Sequence, residues 1–261
     1  MTTAARRGGL SSFDLHGRLA VVTGARRGLG RAMATALASA GADIIGVSAS
    51  LEPRGSLVQA DVEALGRTFE GHGVDFADRA AVTELADRLA GGRAVDILVN
   101  NAGTIERAPA VEHTDESWDR VIEVDLSSQF VLTREVGRQM VARGAGKVIF
   151  TASMLSYQGG LNVVSYTAAK SAVAGLTRAL ANEWAPHGVN VNAIAPGYFA
   201  TDNTDALRRD PHRNRAIVER IPAARWGLPE DLHGAVVFLA SRASDYVHGT
   251  VLAVDGGWLG R

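Results

Sequence analysis

Tyr166 and Lys170 stand four residues apart in Ser165-Tyr166-Thr-Ala-Ala-Lys170, a spacing that puts both side chains on one face of a helix. A tyrosine hydroxyl, with an ordinary pKa of about 10, is a poor proton shuttle near neutral pH. An ammonium beside it favours tyrosinate and lowers that pKa. Ser153, in Thr151-Ala-Ser-Met, can hold a substrate oxygen by hydrogen bonding. Each residue alone has an ordinary reading: a surface pair for the first two, a helix cap for the serine. Their combination points to an enzyme rather than a binder.

A second constellation supplies the binding half. Val21-Val-Thr-Gly24-Ala-Arg-Arg27-Gly28-Leu-Gly30 follows an apolar run and opens a helical pattern. Gly24 lets the chain leave a strand sharply, while Gly28 and Gly30 let backbone and phosphate approach with a helix N-terminus facing the anion. The spacing is neither the usual G-x-G-x-x-G nor a P-loop, since no Gly-Lys-[Ser/Thr] follows. A plain strand-to-helix turn has the same composition, but its place after the first strand favours pyrophosphate. The next strand ends Ile44-Ile-Gly-Val-Ser48-Ala-Ser50, without the carboxylate that would hydrogen-bond an NAD ribose. Ser48 leaves room for a 2′-phosphate and Arg27 can supply charge to it. These residues taken alone lean towards NADP(H), and a bound nicotinamide ring would add a second positive charge beside Tyr166.

The elements that must position these groups alternate along the chain. Strands are expected at 19–23, 43–47, 73–75, 96–100, 147–151, 189–195 and 250–254. Helical patterns are expected at 28–40, around 62–66, and at 79–90, 116–143 and 166–184. That alternation predicts an α/β fold, a Rossmann-like doubly wound parallel sheet with helices on both faces. Residues 1–12 read as a flexible tail and 13–261 as one dinucleotide-binding catalytic domain. The polar, arginine-rich stretch 198–222 fits a substrate lid, or equally a surface helix with loop ends.

Composition removes other classes. The charges nearly cancel, 27 Lys+Arg against 28 Asp+Glu, so no basic surface for nucleic acid or an anionic membrane is expected. Zero cysteines exclude disulfides, thiolate metal ligands and a cysteine nucleophile. The seven histidines are scattered without ligand spacing, so no metal is expected. The basic start leads into Leu10-Ser-Ser-Phe rather than an apolar segment, and a cytoplasmic location is expected. The 29 glycines exceed the roughly 7% of an average protein, and no low-complexity tract absorbs them.

The turn Thr-Gly-x-x-x-Gly-x-Gly, Asn100-Asn-Ala-Gly103, the strand-end Ser153, Tyr-x-x-x-Lys, and Pro196-Gly197 followed by Thr201 together resemble the short-chain dehydrogenase/reductase family, from about Phe13 to Arg261. The resemblance implies transfer of a hydride between NAD(H) or NADP(H) and a carbinol or carbonyl carbon. It implies Tyr166 as general acid/base, Ser153 orienting the substrate oxygen, and Lys170 holding the nicotinamide ribose while depressing the tyrosine pKa. It places Gly24, Arg27, Gly28, Leu29, Gly30 and Ser48 around the dinucleotide and Asp75 and Phe76 at adenine. Asn101, Ala102, Gly103, Pro196 and Gly197 are implied along the cofactor wall, and Thr201 at the carboxamide. A homotetramer is implied as well, with Trp258 and Leu259 as apolar residues at a chain end. One position departs from the pattern. Many members carry an Asn where this chain has Glu-Val-Asp125-Leu-Ser, to help hold a water in the relay to Lys. Ionised Asp accepts hydrogen bonds but donates none, so the relay persists here if only the main-chain carbonyl matters.

Ala152-Ser-Met-Leu-Ser-Tyr-Gln-Gly-Gly160, Ile194-Ala-Pro-Gly-Tyr-Phe-Ala-Thr-Asp-Asn-Thr204, and the stretches from Arg225-Trp-Gly-Leu-Pro to Trp258 resemble a sugar-acid branch of that family. This implies a substrate such as 2-deoxy-D-gluconate or 2-dehydro-3-deoxy-D-gluconate, and usually NAD(H). A sugar acid needs a cation for its carboxylate. Arg107, just past Asn-Asn-Ala-Gly, is the first candidate and Arg208 the second, with an ion pair to Glu106 or Glu112 as the other reading of Arg107. Met154, Gln158 and Tyr198 are expected near the reacting carbon. Two rival functions remain open at this level. One is an NADPH-dependent 3-oxoacyl-carrier-protein reductase, supported by Arg27 and Ser48-Ala-Ser. The other is a non-catalytic NAD(P)-sensing regulator, which has no need of Ser153, Tyr166 and Lys170.

Overall fold

Seven short strands with apolar interiors assemble into one parallel sheet in a computed structural model that describes residues 9–261. They are β1 (Leu19–Thr23), β2 (Asp43–Ser48), β3 (Phe69–Gly73), β4 (Ile97–Asn100), β5 (Gly146–Thr151), β6 (Val189–Pro196) and β7 (Val251–Val254). Their order is β3-β2-β1-β4-β5-β6-β7. β1, β4 and β6 are buried along their whole length, as unbroken apolar runs must be when helices cover both faces. The expected tail lies outside the described residues up to residue 8. Its remainder joins a 3-10 turn, Gly9–Phe13, where Arg242 Nη2 donates to the Ser11 carbonyl at 3.2 Å.

Nine helices surround the sheet among the described residues. They are α1 (Gly28–Ser39), α2 (Leu57–Ala64), α3 (Arg79–Gly91), α4 (Asp115–Ile122), α5 (Ser128–Arg143), α6 (Val164–Trp184), α7 (Asp205–Arg209), α8 (Pro211–Arg220) and α9 (His233–Ala240). One core joins the sheet to α3, α5 and α6 through Leu85, Leu132, Met140, Val173 and Trp184. The other joins it to α1, α2 and α9 through Met33, Leu37, Val58 and Val236. Strand order reverses between β1 and β4, which opens a crevice beyond their carboxyl ends where such sheets bind ligands. None of the helices among the described residues is long and apolar enough to cross a membrane.

Two elements differ from the expectation. β3 lies at Phe69–Gly73 rather than around Gly73-Val74-Asp75. It is an edge strand paired only to β2, from Ile44↔Phe69 to Ser48↔Gly73, so backbone pairing defines it without an apolar run. The single helix expected over 116–143 is instead α4 and α5 separated by one π turn, Glu123–Ser127. The turn is pinned by Ser128 Oγ donating to Glu123 Oε1 at 2.7 Å and by Arg79 Nε donating to the same oxygen at 3.0 Å. Residues 198–222 contain a 3-10 turn, Asp202–Thr204, followed by α7 and α8, so the stretch is mostly helical.

Candidate active site

The end of β1 is stitched to the end of β4. Thr23 Oγ1 accepts from the Asn101 and Ala102 backbone N–H groups, both at 2.8 Å, and Asn101 Nδ2 donates to the Thr23 carbonyl at 3.0 Å. Gly24 and Gly28 take φ of 67° and 56°, a region side-chain-bearing residues rarely occupy. Gly30 serves a different need, because a Cβ there would fall 2.1 Å from the Gly24 carbonyl oxygen. No side chain caps α1 at Arg27, so its first N–H groups are left for an anion.

A cavity of about 530 Å³ lies over this turn, within the size range of small-molecule and cofactor sites. Its wall runs from Ser48, Asp75 and Phe76 past Gly24, Arg27, Gly28, Leu29 and Gly30 to Asn101, Ala102, Gly103, Tyr166, Lys170 and Thr201. An elongated cradle of glycine backbone with a free helix N-terminus fits a dinucleotide. Pro196 and Gly197 are off this wall. Gly197 N donates to the Val254 carbonyl at 2.9 Å, and a Cβ on it would come within 2.6 Å of Asp255 Cα. Close passage of the chain after β7 therefore accounts for this glycine.

The charges at the turn are arranged otherwise than the sequence suggests. Arg27 Nη1 lies 2.6 Å from Asp202 Oδ2, so it reaches across the cavity mouth. Ser48 Oγ accepts from Arg26 N at 3.1 Å, and the Arg26 guanidinium lies 3.3 Å from Glu52. Arg26, which the sequence reading passed over, thus sits at the end of β2; its adjacency to Ser48 depends on strand pairing, which no local pattern reveals. Asp75 Oδ1 accepts from Ala77 N at 2.9 Å.

Tyr166 and Lys170 project from the first turns of α6 as their spacing requires, and Lys170 Nζ is 5.4 Å from the Tyr166 ring centre. Lys170 Nζ donates to the Thr151 carbonyl at 2.9 Å and lies 3.1 Å from Asp125 Oδ2. Burial, the largest influence, pulls the lysine pKa down, but Asp125 and Tyr166 overcome it and hold the ammonium above its usual value. Burial raises the pKa of Asp125, against Lys170 and the Thr104 N–H. Tyr166 is also raised: burial dominates, Asp125 adds to it, and Lys170, the hydrogen bond with Ser153 and Arg107 oppose it. The expected depression by Lys170 is thus present but outweighed, because enclosure in the fold disfavours the tyrosinate charge.

Ser153 lies two residues past the end of β5, is buried, and caps the 3-10 turn Met154–Ser156 by accepting from Leu155 N at 3.1 Å, as the helix-cap reading also allowed. Arg107 lines the same cavity as Tyr166 and makes no hydrogen bond or ion pair with a described residue, so the reading as a pair to Glu106 or Glu112 does not hold. Arg208 is engaged, 3.3 Å from Asp205. Arg120 of α4 also reaches the cavity wall; it lies one turn before Val124, but the π turn that aims this face inward is invisible in the pattern. Met154, Gln158 and Tyr198 are off the cavity wall. Met154 and Tyr198 belong to an apolar cluster with Ile217, Ile221 and Trp258, where Tyr198 meets the Trp226 and Trp258 rings edge-on. Gln158 Oε1 accepts from Trp258 Nε1 at 3.3 Å. Trp258, named with the implied tetramer as an apolar residue at a chain end, is already 5% exposed within the single chain, because Arg220 of α8 and Tyr198 pack against its ring.

The family model described as Enoyl-(Acyl carrier protein) reductase matches residues 24–259. A 2-dehydro-3-deoxy-D-gluconate 5-dehydrogenase of Pseudoalteromonas atlantica (strain T6c) is 58% identical over 253 residues, covering 97% of this chain and 100% of its own. One from Bacillus subtilis (strain 168) is 52% identical over 252 residues, covering 96% of this chain and 98% of its own. Among solved structures, a gluconate 5-dehydrogenase from Burkholderia cenocepacia J2315 in complex with NADP and tartrate is 37% identical. It has a TM-score of 0.90 and covers 96% of this chain and 98% of that one.

Proposed function

The chain belongs to the short-chain dehydrogenase/reductase family, and on that premise we propose that it interconverts a secondary alcohol and a ketone on a sugar acid such as 2-dehydro-3-deoxy-D-gluconate or 2-deoxy-D-gluconate, with NAD(H) or NADP(H). The observation that carries this reading is the convergence on one cavity wall of Tyr166, Lys170 and Arg107, the last without an ion-pair partner among the described residues, in a chain 58% identical to a sugar-acid dehydrogenase.

When bound, the dinucleotide supplies the two-electron chemistry, taking up or returning a hydride at its nicotinamide ring. Gly24, Gly28, Leu29 and Gly30 would hold its pyrophosphate, Arg27 and Ser48 its adenosine end, and Asp75 and Phe76 its adenine. Asn101, Ala102 and Gly103 would line its path, and Thr201 its carboxamide. Ser153 and Tyr166 hold the substrate oxygen between them in this reading. In oxidation Tyr166 takes the hydroxyl proton; in reduction it returns one to the carbonyl oxygen. Its raised pKa keeps it protonated at neutral pH, ready for reduction, and oxidation is expected to gain rate towards alkaline pH. Lys170 has three N–H donors. One is donated to the Thr151 carbonyl, while the ammonium pairs by charge with Asp125 at 3.1 Å, leaving a donor for a ribose hydroxyl. Arg107 supplies the cation for the substrate carboxylate.

Residues 13–261 form the catalytic domain in this reading, with 198–222 as the lid; Tyr198 belongs to it and packs with Met154 in the cluster around Trp258. A cytoplasmic homotetramer completes it. Half-exposed Trp118 and Phe130 and the open outer edge of β7 support association, and use of a freely diffusing nicotinamide coenzyme supports the location. A matrix of NAD and NADP against gluconate derivatives and an acetoacetyl thioester, followed at the nicotinamide absorbance, tests the function. Sugar-acid turnover that disappears in Tyr166→Phe is the expected result. Preference for the thioester overturns the substrate, and dinucleotide binding without turnover of any alcohol overturns the enzyme.

A further inference from the structure

Asp125 is 0% exposed and Lys170 2%, and their charged atoms stand 3.1 Å apart. A buried ion pair is expensive to leave half-made, so its presence needs structural support. Three features give it. The π turn Glu123–Ser127 directs Asp125 inward, as such bulges often do at functional sites. Thr104 N donates to Asp125 Oδ1 at 2.7 Å. Gly103 leaves the space free, since a Cβ there would lie 3.1 Å from Asp125 Oδ2.

The groups that act on Tyr166 come from four segments: Lys170 from α6, Asp125 from the π turn, Ser153 from the turn after β5 and Arg107 from the loop after β4. Arg120 of α4 lines the same cavity. Asp125 is the negative charge among them. An asparagine at this position would fill the same volume and bring no charge.

We propose that Asp125 is a positioning residue of the redox step: its carboxylate clamps the Lys170 ammonium directly, and its negative charge governs how readily Tyr166 releases its proton. This rests on the reading of Tyr166 as acid/base group and adds the residue that tunes it. The carboxylate holds Lys170 charged and in place, and at the same time it opposes the tyrosinate that Lys170 favours. Replacing it by a neutral isostere leaves Lys170 on the Thr151 carbonyl and removes the opposition.

The test uses the cofactor-free protein as well as turnover. Tyrosinate absorbance is titrated in wild type and Tyr166→Phe, each with and without Asp125→Asn. The chain has four tyrosines, and the difference between each pair isolates Tyr166. Asp125→Asn is expected to move the Tyr166 midpoint down by roughly half to one pH unit. The acidic limb of kcat/KM for alcohol oxidation moves with it, a gain of about three- to tenfold below the limb, while KM for the sugar acid stays unchanged. A midpoint that stays or rises overturns the proposal, as does a kcat lowered equally at every pH.

The clamp has its own readout. The thermal midpoint of Lys170→Met is expected to fall and to be regained in Asp125→Asn/Lys170→Met, because the second change removes the carboxylate left unpaired. A Lys170→Met protein as stable as wild type overturns the direct pairing. Should Asp125→Asn not fold, the double variant decides, recovery supporting the clamp and continued failure overturning it. A Tyr166 midpoint that moves in a protein turning over no sugar acid leaves this assignment standing and removes the substrate. Sugar-acid turnover with an unmoved midpoint does the reverse.

Discussion

Arg27 Nη1 and Asp202 Oδ2 stand 2.6 Å apart across 175 positions of chain, tying the turn after β1 to the segment after β6 over the mouth of the cavity. Both side chains are largely exposed, 60% and 74%, so the pair contributes little to folding. Its consequence lies in binding, because an anionic ligand at the turn competes with Asp202 for the guanidinium. Asp202→Asn is expected to tighten NADP(H) about three- to tenfold, and NAD(H) less, with the gain shrinking as salt is raised. Nicotinamide fluorescence titrations would check this; equal affinities in variant and wild type would remove Arg27 from the phosphate site.

Tyr166 and Arg107 act on one substrate through different terms, and kinetics should separate them. Tyr166→Phe loses the proton relay and is expected to lower kcat by about 10²–10⁴ with the fold intact. Arg107→Ala removes a guanidinium that has no ion-pair partner among the described residues and should leave stability unchanged. It is expected to raise KM for sugar acids about ten- to hundredfold, the range of a lost charge-assisted hydrogen bond, with kcat changed little. An unchanged KM would take the carboxylate away from Arg107.

Glycines in this chain are not equivalent, and alanine scanning should show it. Gly30→Ala would drive a Cβ to 2.1 Å from the Gly24 carbonyl. A loss of about 1–3 kcal/mol is expected, together with loss of dinucleotide binding. Gly175 is exposed within α6 and has open space around its Cβ position. Gly175→Ala is expected to stabilise by about 0.5–1 kcal/mol. Urea denaturation midpoints of the two variants would show whether turn geometry or helix propensity sets each cost.

Acid sensitivity should centre on Asp43, at the start of β2. It accepts from Arg67 Nη2 and Arg93 Nη1, each at 2.7 Å, and from Thr68 N at 3.1 Å. Burial alone would raise its pKa, but Arg93, the Thr68 N–H and Arg67 hold it well below the usual 3.8. A depressed carboxylate stabilises the fold above its unfolded pKa, and that stability is lost as the pH falls through the folded one. Asp43→Asn is therefore expected to be less stable at neutral pH, with the gap to wild type narrowing below pH 3.8. Chemical denaturation across pH checks the sign; a gap independent of pH would mean that packing, not charge, is lost.

The glycine turn, the Tyr166 and Lys170 pair, and Asn101 to Gly103 were legible because each is local. A positive φ, an i,i+4 spacing and a strand end are written in consecutive residues. The parallel sheet was legible too, from apolar runs alternating with helical periods. β3 was misplaced because an edge strand held by backbone pairing carries no apolar signature. Met154, Gln158 and Tyr198 were expected beside the reacting carbon and instead pack with α8 and the C-terminal segment around Trp258, an arrangement that depends on which distant apolar side chains find one another.

Taken by itself, the sequence determined the fold class and which side chains can carry proton and anion chemistry, since residue type and local spacing fix both. Only the tertiary structure decided what surrounds them: Arg27 paired with Asp202, Arg107 on the cavity wall without an ion-pair partner among the described residues, and Asp125 turned inward against Lys170. Charge interactions act through space and depend on burial. The same Tyr166 that the sequence presents beside an ammonium is shifted upward once the fold encloses it with Asp125.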